Sequence, residues 1–245
     1  MKKIIMLITL SVLGLFLGCQ KEENKVASEE KIYVVGTNAE YPPYEYLENN
    51  KIVGLDADIL EELSKRADFK YTWSNMNFDG LISALQTKKI DMIIAGMSIS
   101  EERMKFIDFS TPYISPELVY VALKTKNLKG IEDLKNKKFG VELGTTEEES
   151  IKKIPGAEII PFTGHTASLL ALKADKIDSM LLDSAVADKY MKNNPELEIV
   201  ATVSAENKAM AFNKKDSELK NKIDGELKKM LEDGTIKKLQ EKYGL

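Results

Sequence analysis

Few side chains in this sequence are equipped for bond-making chemistry. Cysteine and histidine occur once each, as Cys19 and His165, and no glycine-rich phosphate loop is present, so metal sites and nucleophile triads lack parts. His165, in Thr163-Gly164-His165-Thr166, reads as a surface loop residue beside an N-cap at Thr166. The sequence does hold groups that suit a zwitterion: a fixed cation, acceptors for an ammonium, and aromatic walls. Each falls where a strand gives way to a helix, the place where open α/β sheets bind ligands.

The elements that position these groups alternate. A strand is predicted over residues 31–36 and a helix over 56–67, with Asp56 as its N-cap. A second helix follows at 79–88, with Leu81, Ile82 and Leu85 on one face, then an apolar strand at 91–95. Further strands are predicted at 118–123, 179–182, 197–203 and 209–213, and helices at 184–191, 217–231 and 235–243. Alternation of this kind predicts α/β layering with largely parallel strands.

Ala84-Leu85-Gln86-Thr87-Lys88-Lys89-Ile90-Asp91-Met92 is echoed by Ala171-Leu172-Lys173-Ala174-Asp175-Lys176-Ile177-Asp178-Ser179. Either this is an ordinary helix-to-strand turn met twice, or the chain holds two lobes of similar build. The breaker-rich stretch Ser110-Thr111-Pro112-Tyr113-Ile114-Ser115-Pro116 supplies a crossing, and residues 204–208 supply a return. The two-lobed division assigns 31–116 and 209–245 to the first lobe and 117–208 to the second, with the last helices covering the first lobe.

Lys2 and Lys3 precede an uncharged apolar run, residues 4–18, of about 15 residues against roughly 20 for a bilayer span. The run ends Phe16-Leu17-Gly18-Cys19 and resembles a bacterial lipobox, with Phe16 departing from the usual Leu. Residues 1–18 are then an export signal, and Cys19 carries the lipid that holds the protein on a membrane surface. Residues 19–30 are polar and highly charged, and read as a flexible tether.

Across 245 residues the composition is 43% hydrophobic and 30% charged, with 35 basic and 39 acidic residues. That is ordinary soluble composition with no strong field of one sign, so nucleic acid is excluded as a partner. No disulfide forms within a chain of one cysteine, and no cofactor or metal is expected.

Five segments then line up. Asn38-Ala39-Glu40-Tyr41-Pro42-Pro43-Tyr44-Glu45-Tyr46, Gly54-Leu55-Asp56-Ala57-Asp58, Phe78-Asp79-Gly80-Leu81-Ile82, Ala95-Gly96-Met97-Ser98-Ile99-Ser100-Glu101-Glu102-Arg103 and Ile107-Asp108-Phe109-Ser110 together resemble the polar amino-acid solute-binding proteins of bacterial ABC importers, extracellular family 3. The likeness runs from about residue 31 to the C-terminus. It implies a two-lobed, type II periplasmic-binding-protein-like fold, each lobe a mostly parallel sheet flanked by helices, joined by two hinge crossings.

It also implies roles. The Arg103 fork would hold a ligand α-carboxylate with two parallel hydrogen bonds, helped by Thr146 and Thr145 from a helix N-terminus in the second lobe. The Gly96 carbonyl, the Ser98 hydroxyl and Asp183 would take the α-ammonium. Tyr41 and Phe78 would be walls for the ligand side chain, with Tyr44 a weaker third. Asn38, Glu40, Asp56 and Glu142 would choose among side chains. Glu142 favours a cationic ligand such as arginine or lysine, whereas Asn38, where cation-binding relatives often carry an acid, leaves glutamine open.

The expectation is a monomeric binding component that closes about its hinge and delivers its ligand to an importer permease. An exported prephenate or cyclohexadienyl dehydratase on the same fold is the enzymatic alternative, with Glu142 as the only visible acid or base. A sensor or adhesin is a third class.

Overall fold

The computed structural model describes residues 31–245. The expected signal at 1–18, the lipidation at Cys19 and the tether at 19–30 lie outside the described residues.

Two five-stranded sheets share one plan. In the first, Ile32–Thr37 lies between Lys70–Asn75 and Met92–Ile93, all parallel, and the sheet continues antiparallel through Ala211–Asn213 to Ile107–Phe109. In the second, Lys138–Glu142 lies between Glu158–Phe162 and Ser179–Asp183, all parallel, and continues antiparallel through Glu117–Leu123 to Leu197–Ser204. The chain leaves the first sheet after Phe109, builds the second, and returns at Ala211. In both sheets the strand order reverses beside the first parallel strand, which opens a crevice at the carboxyl ends of the strands.

The repeated Lys-Ile-Asp segments do the same job in each sheet, which favours two halves of similar build. Lys88 and Asp175 turn the chain left-handed after their helices, with φ of 59° and 60°. The next amides, of Lys89 and Lys176, bond to the Ala84 and Ala171 carbonyls, each at 2.9 Å. Asp91 and Asp178 then clamp the neighbouring parallel strand: their carboxylates accept from the Val34 amide at 2.8 Å and the Lys138 amide at 2.9 Å.

Helical periodicity translates into burial. On the helix Ser217–Glu232 the apolar stripe Leu219, Ile223, Leu227 and Met230 is buried, and burying each such side chain stabilises by about 1.5–3 kcal/mol. This helix and Thr235–Tyr243 pack against Leu55–Arg66. The seam is tied by Arg66 to Asp233 at 2.6 Å and by the Tyr243 hydroxyl to Asp58 at 2.8 Å.

Two expectations are corrected, and one small sheet was missed. The first helix spans Leu55–Arg66 with Gly54 at its N-cap, and the Asp56 side chain makes no cap. The segment expected as one helix at 79–88 is a 3₁₀ turn, Phe78–Gly80, followed by Leu81–Gln86. A small antiparallel sheet of Glu40–Tyr41, Glu45–Glu48 and Lys51–Val53 was not anticipated. Its tight hairpin turns on Asn49 and Asn50 at φ of 48° and 62°, a conformation that asparagine tolerates better than most residues.

Candidate functional site

The crevice between the sheets is a narrow cleft lined by polar, charged and aromatic side chains. From the first sheet and its loops come Asn38, Tyr41, Glu45, Phe78, Gly96, Ser98 and Arg103. From the second come Glu142, Thr145, Thr146, Glu147 and His165, and Lys208 enters from the returning chain.

Arg103 sits on the short helix Glu101–Met104, whose first turn is capped by Ser100 Oγ accepting from the Arg103 amide at 3.2 Å. Its side chain is 6% exposed. Nη1 donates to the Ser98 carbonyl at 2.6 Å and Nη2 to the Gly144 carbonyl at 2.9 Å, while Phe78 lies 5.3 Å beneath the guanidinium. Burial lowers its pKa to about 10, against the pull of the Glu147 charge, so the cation persists at neutral pH. Phe78, expected as a ligand wall, supports this cation.

Gly96 takes φ of 52°, and a Cβ there would stand 3.2 Å from the Tyr41 ring. Its amide donates to Asp56 Oδ2 at 2.7 Å, and the Tyr113 hydroxyl donates to the same oxygen at 3.0 Å. Asp56, expected at the ligand side chain, is therefore corrected: it is fully buried behind Gly96, off the cleft wall, and aims the Gly96 carbonyl. Glu45 is buried beside it. Burial pushes Asp56 up to about 6, and burial with the Asp56 charge holds Glu45 well above the usual carboxylate range.

Asp183 ends the fully buried strand Ser179–Asp183. Although it precedes the helix Ser184–Asn193, its side chain makes no cap bond. Its carboxylate faces the Lys208 ammonium, Oδ2 to Nζ at 2.8 Å, and its amide donates to the Tyr41 hydroxyl at 3.4 Å. Lys208 also donates to the Gly96 carbonyl at 2.7 Å. The sequence-based expectation placed a ligand ammonium between these acceptors, and in the structure the chain's own ammonium occupies that position.

At the other end, Glu142 Oε2 lies 2.9 Å from His165 Nε2, both side chains 6% exposed. Asn38 Nδ2 donates to Glu142 Oε1 at 3.5 Å. His165 is not a surface loop residue: it opens the helix His165–Lys173 and stacks on Tyr41 with ring centroids 4.8 Å apart. Burial alone would lower its pKa, but the Glu142 hydrogen bond and charge outweigh it, so the pKa is raised. Tyr41 also stacks on Tyr44, at 5.4 Å, and Tyr44 is buried behind it. Thr145 turns its hydroxyl to the Glu142 carbonyl at 2.8 Å, and Thr146 makes no side-chain cap bond. Glu40 is exposed and off the cleft wall.

Sequence reasoning missed Glu45, Glu147 and Lys208 and discounted His165. Glu45 and Glu147 stand inside segments already singled out, Tyr44-Glu45-Tyr46 and Gly144-Thr145-Thr146-Glu147. Lys208 carries no local signal, because its partners are brought to it only by the return crossing.

Among the described residues no helix is long and apolar enough to cross a membrane, and no His, Cys, Asp and Glu cluster suited to a metal ion occurs. Residues 33–245 match the family model described as bacterial extracellular solute-binding proteins, family 3. The arginine-binding extracellular protein ArtP of Bacillus subtilis is 32% identical, over 99% of this chain and 98% of that protein. A probable histidine-binding protein of Campylobacter jejuni is 38% identical, over 80% of each. A solved ancestral arginine-binding protein bound to arginine superposes with a TM-score of 0.82 at 40% identity, covering 86% of this chain and 97% of that one.

Proposed function

The chain belongs to family 3 of the bacterial extracellular solute-binding proteins, and from that premise we propose that it captures a free L-amino acid between its two sheets. The observation that carries this reading is Arg103. It is a buried guanidinium at the cleft whose side-chain hydrogen bonds among the described residues go to backbone carbonyls, so its charge is left for a carboxylate from outside. A planar fork of this kind suits the two oxygens of an α-carboxylate. Thr146 lies across the cleft as a further donor, whereas the Thr145 hydroxyl and amide are already taken by the Glu142 carbonyl. The Gly96 carbonyl, the Ser98 hydroxyl and Asp183 provide the α-ammonium site, and Tyr41 forms the wall toward Glu142 and Asn38.

The acids Glu142 and Glu147 at the cleft favour a cationic side chain, and the relatives named above as arginine-binding point the same way. Arginine is therefore the ligand we assign, ahead of lysine, histidine and glutamine. Closure brings 117–208 over 31–116 and 209–245 about the two crossings, and an importer permease then recognises the closed form. Export by residues 1–18 and lipid attachment at Cys19 hold the monomer at the envelope surface. The relatives named are binding proteins, and the dehydratase alternative gains no support from them.

Calorimetry of purified 31–245 against the twenty amino acids tests the reading. One site of micromolar or better affinity for arginine is expected, and no heat from any of the twenty overturns it.

A further inference from the structure

Lys208 is 1% exposed and lies in the crossing by which the chain returns to the first sheet. It is pinned there by bridges to Ser98 and to Ile114. Its ammonium joins both halves of the molecule, bonding to Gly96 O at 2.7 Å in one and pairing with Asp183 at 2.8 Å in the other. The Tyr41 and Tyr44 rings flank it at 5.5 Å each, within cation–π range. Asp183 is 0% exposed and absent from the cleft wall, whereas Lys208 is on it. The cation therefore stands between the cleft and the carboxylate.

We infer that Lys208 is a specificity-determining residue that fills the α-ammonium position with the chain's own ammonium. This rests on the reading that Gly96 O and Asp183 form that position. An incoming amino acid then exchanges one ammonium for another at the same acceptors, with little net gain. A ligand that has the carboxylate and side chain but no α-ammonium leaves Lys208 in place, with the Asp183 charge paired and the Gly96 carbonyl bonded. The site consequently discriminates weakly for the α-amino group. Without the lysine, the des-amino ligand would leave Asp183 and the Gly96 carbonyl buried and unpaired, the situation in which sites reject analogues strongly.

The experiment is calorimetric titration of residues 31–245 with L-arginine and with des-amino arginine, in which hydrogen replaces the α-ammonium, for the wild type and Lys208→Met. The wild type is expected to bind the two within about tenfold of each other, and Lys208→Met to widen that ratio by at least about tenfold. A wild-type preference for arginine of more than about tenfold overturns the inference, as does an unchanged ratio in the variant. If Lys208→Met does not fold, the wild-type ratio alone decides. Binding of arginine with strong rejection of the des-amino compound removes the role of Lys208 while leaving the amino-acid reading standing. Binding of neither compound by the wild type overturns both.

Discussion

The Arg103 guanidinium bridges the two halves of the protein, with Nη2 donating to the Gly144 carbonyl at 2.9 Å across the cleft. Gly144 takes φ of 79° and packs its α-carbon region against Asp79, where an added Cβ would lie 3.1 Å from the Asp79 α-carbon. This contact across the cleft is thus made by a long fixed cation on one side and a residue without a side chain on the other.

Arg103→Ala removes the fork, and Arg103→Lys keeps a charge without its two-pronged geometry. Two charge-assisted hydrogen bonds lost predict a fall in arginine affinity of at least about 100-fold for Arg103→Ala. The lysine variant should fall between the two, and circular dichroism should show an unchanged fold. A thermal-shift screen in which Arg103→Ala still responds to ligand as the wild type does contradicts the assignment.

Gly144→Ala tests the approach of the two halves. A side chain at that φ costs about 1–2 kcal/mol, and the new methyl presses on Asp79 in the closed form. Weaker arginine binding, by about tenfold, is expected from calorimetry. An unchanged affinity would mean that Gly144 is not at a closing contact.

Glu142 and His165 can be tested directly, because His165 is the only histidine in the chain and its ring proton resonances need no assignment. Its pKa should titrate above 6.5 in the wild type. In Glu142→Gln the partner of the imidazolium is gone and burial remains, so the pKa should drop below 6.5. The raised value contributes stability below pH 6.5 that is lost as the pH rises through the folded-state pKa. An identical titration in the two proteins would exclude the ion pair.

Asp56 carries the opposite charge type but the same sign of linkage. Its folded pKa is raised from 3.8 to about 6 by burial, so the stability that its protonated form contributes is present below pH 3.8 and lost as the pH rises to about 6. Asp56→Asn does not titrate. Urea unfolding should therefore show the wild type losing on the order of 2–3 kcal/mol relative to Asp56→Asn between pH 3.5 and 7. A constant difference across that range contradicts a buried carboxyl at this position.

Much of the fold was legible because it follows from periodicity. The stripe Leu219, Ile223, Leu227 and Met230 specifies its helix without tertiary help, and the repeated Lys-Ile-Asp turn exposed the kinship of the two sheets. The short strands at Glu40–Tyr41 and Lys51–Val53 were hidden, since two or three residues show no alternation. Asn49-Asn50 was nonetheless a hairpin signal that could have been used. In the site, side chains carried by contiguous motifs were found, while orientation was not. Asp56 looked like a helix cap until the Gly96 amide and the Tyr113 hydroxyl, 40 and 57 residues away, claimed its carboxylate. Lys208 was invisible because its function depends on Asp183 and Gly96 meeting it from opposite halves.

The most direct test of amino-acid capture through Arg103 is a calorimetric titration of residues 31–245 with L-arginine and with agmatine, which is arginine without its carboxylate. Arginine should bind at one site and agmatine should bind at least about 100-fold more weakly. Agmatine binding as tightly as arginine would show that the carboxylate is not what the buried guanidinium holds.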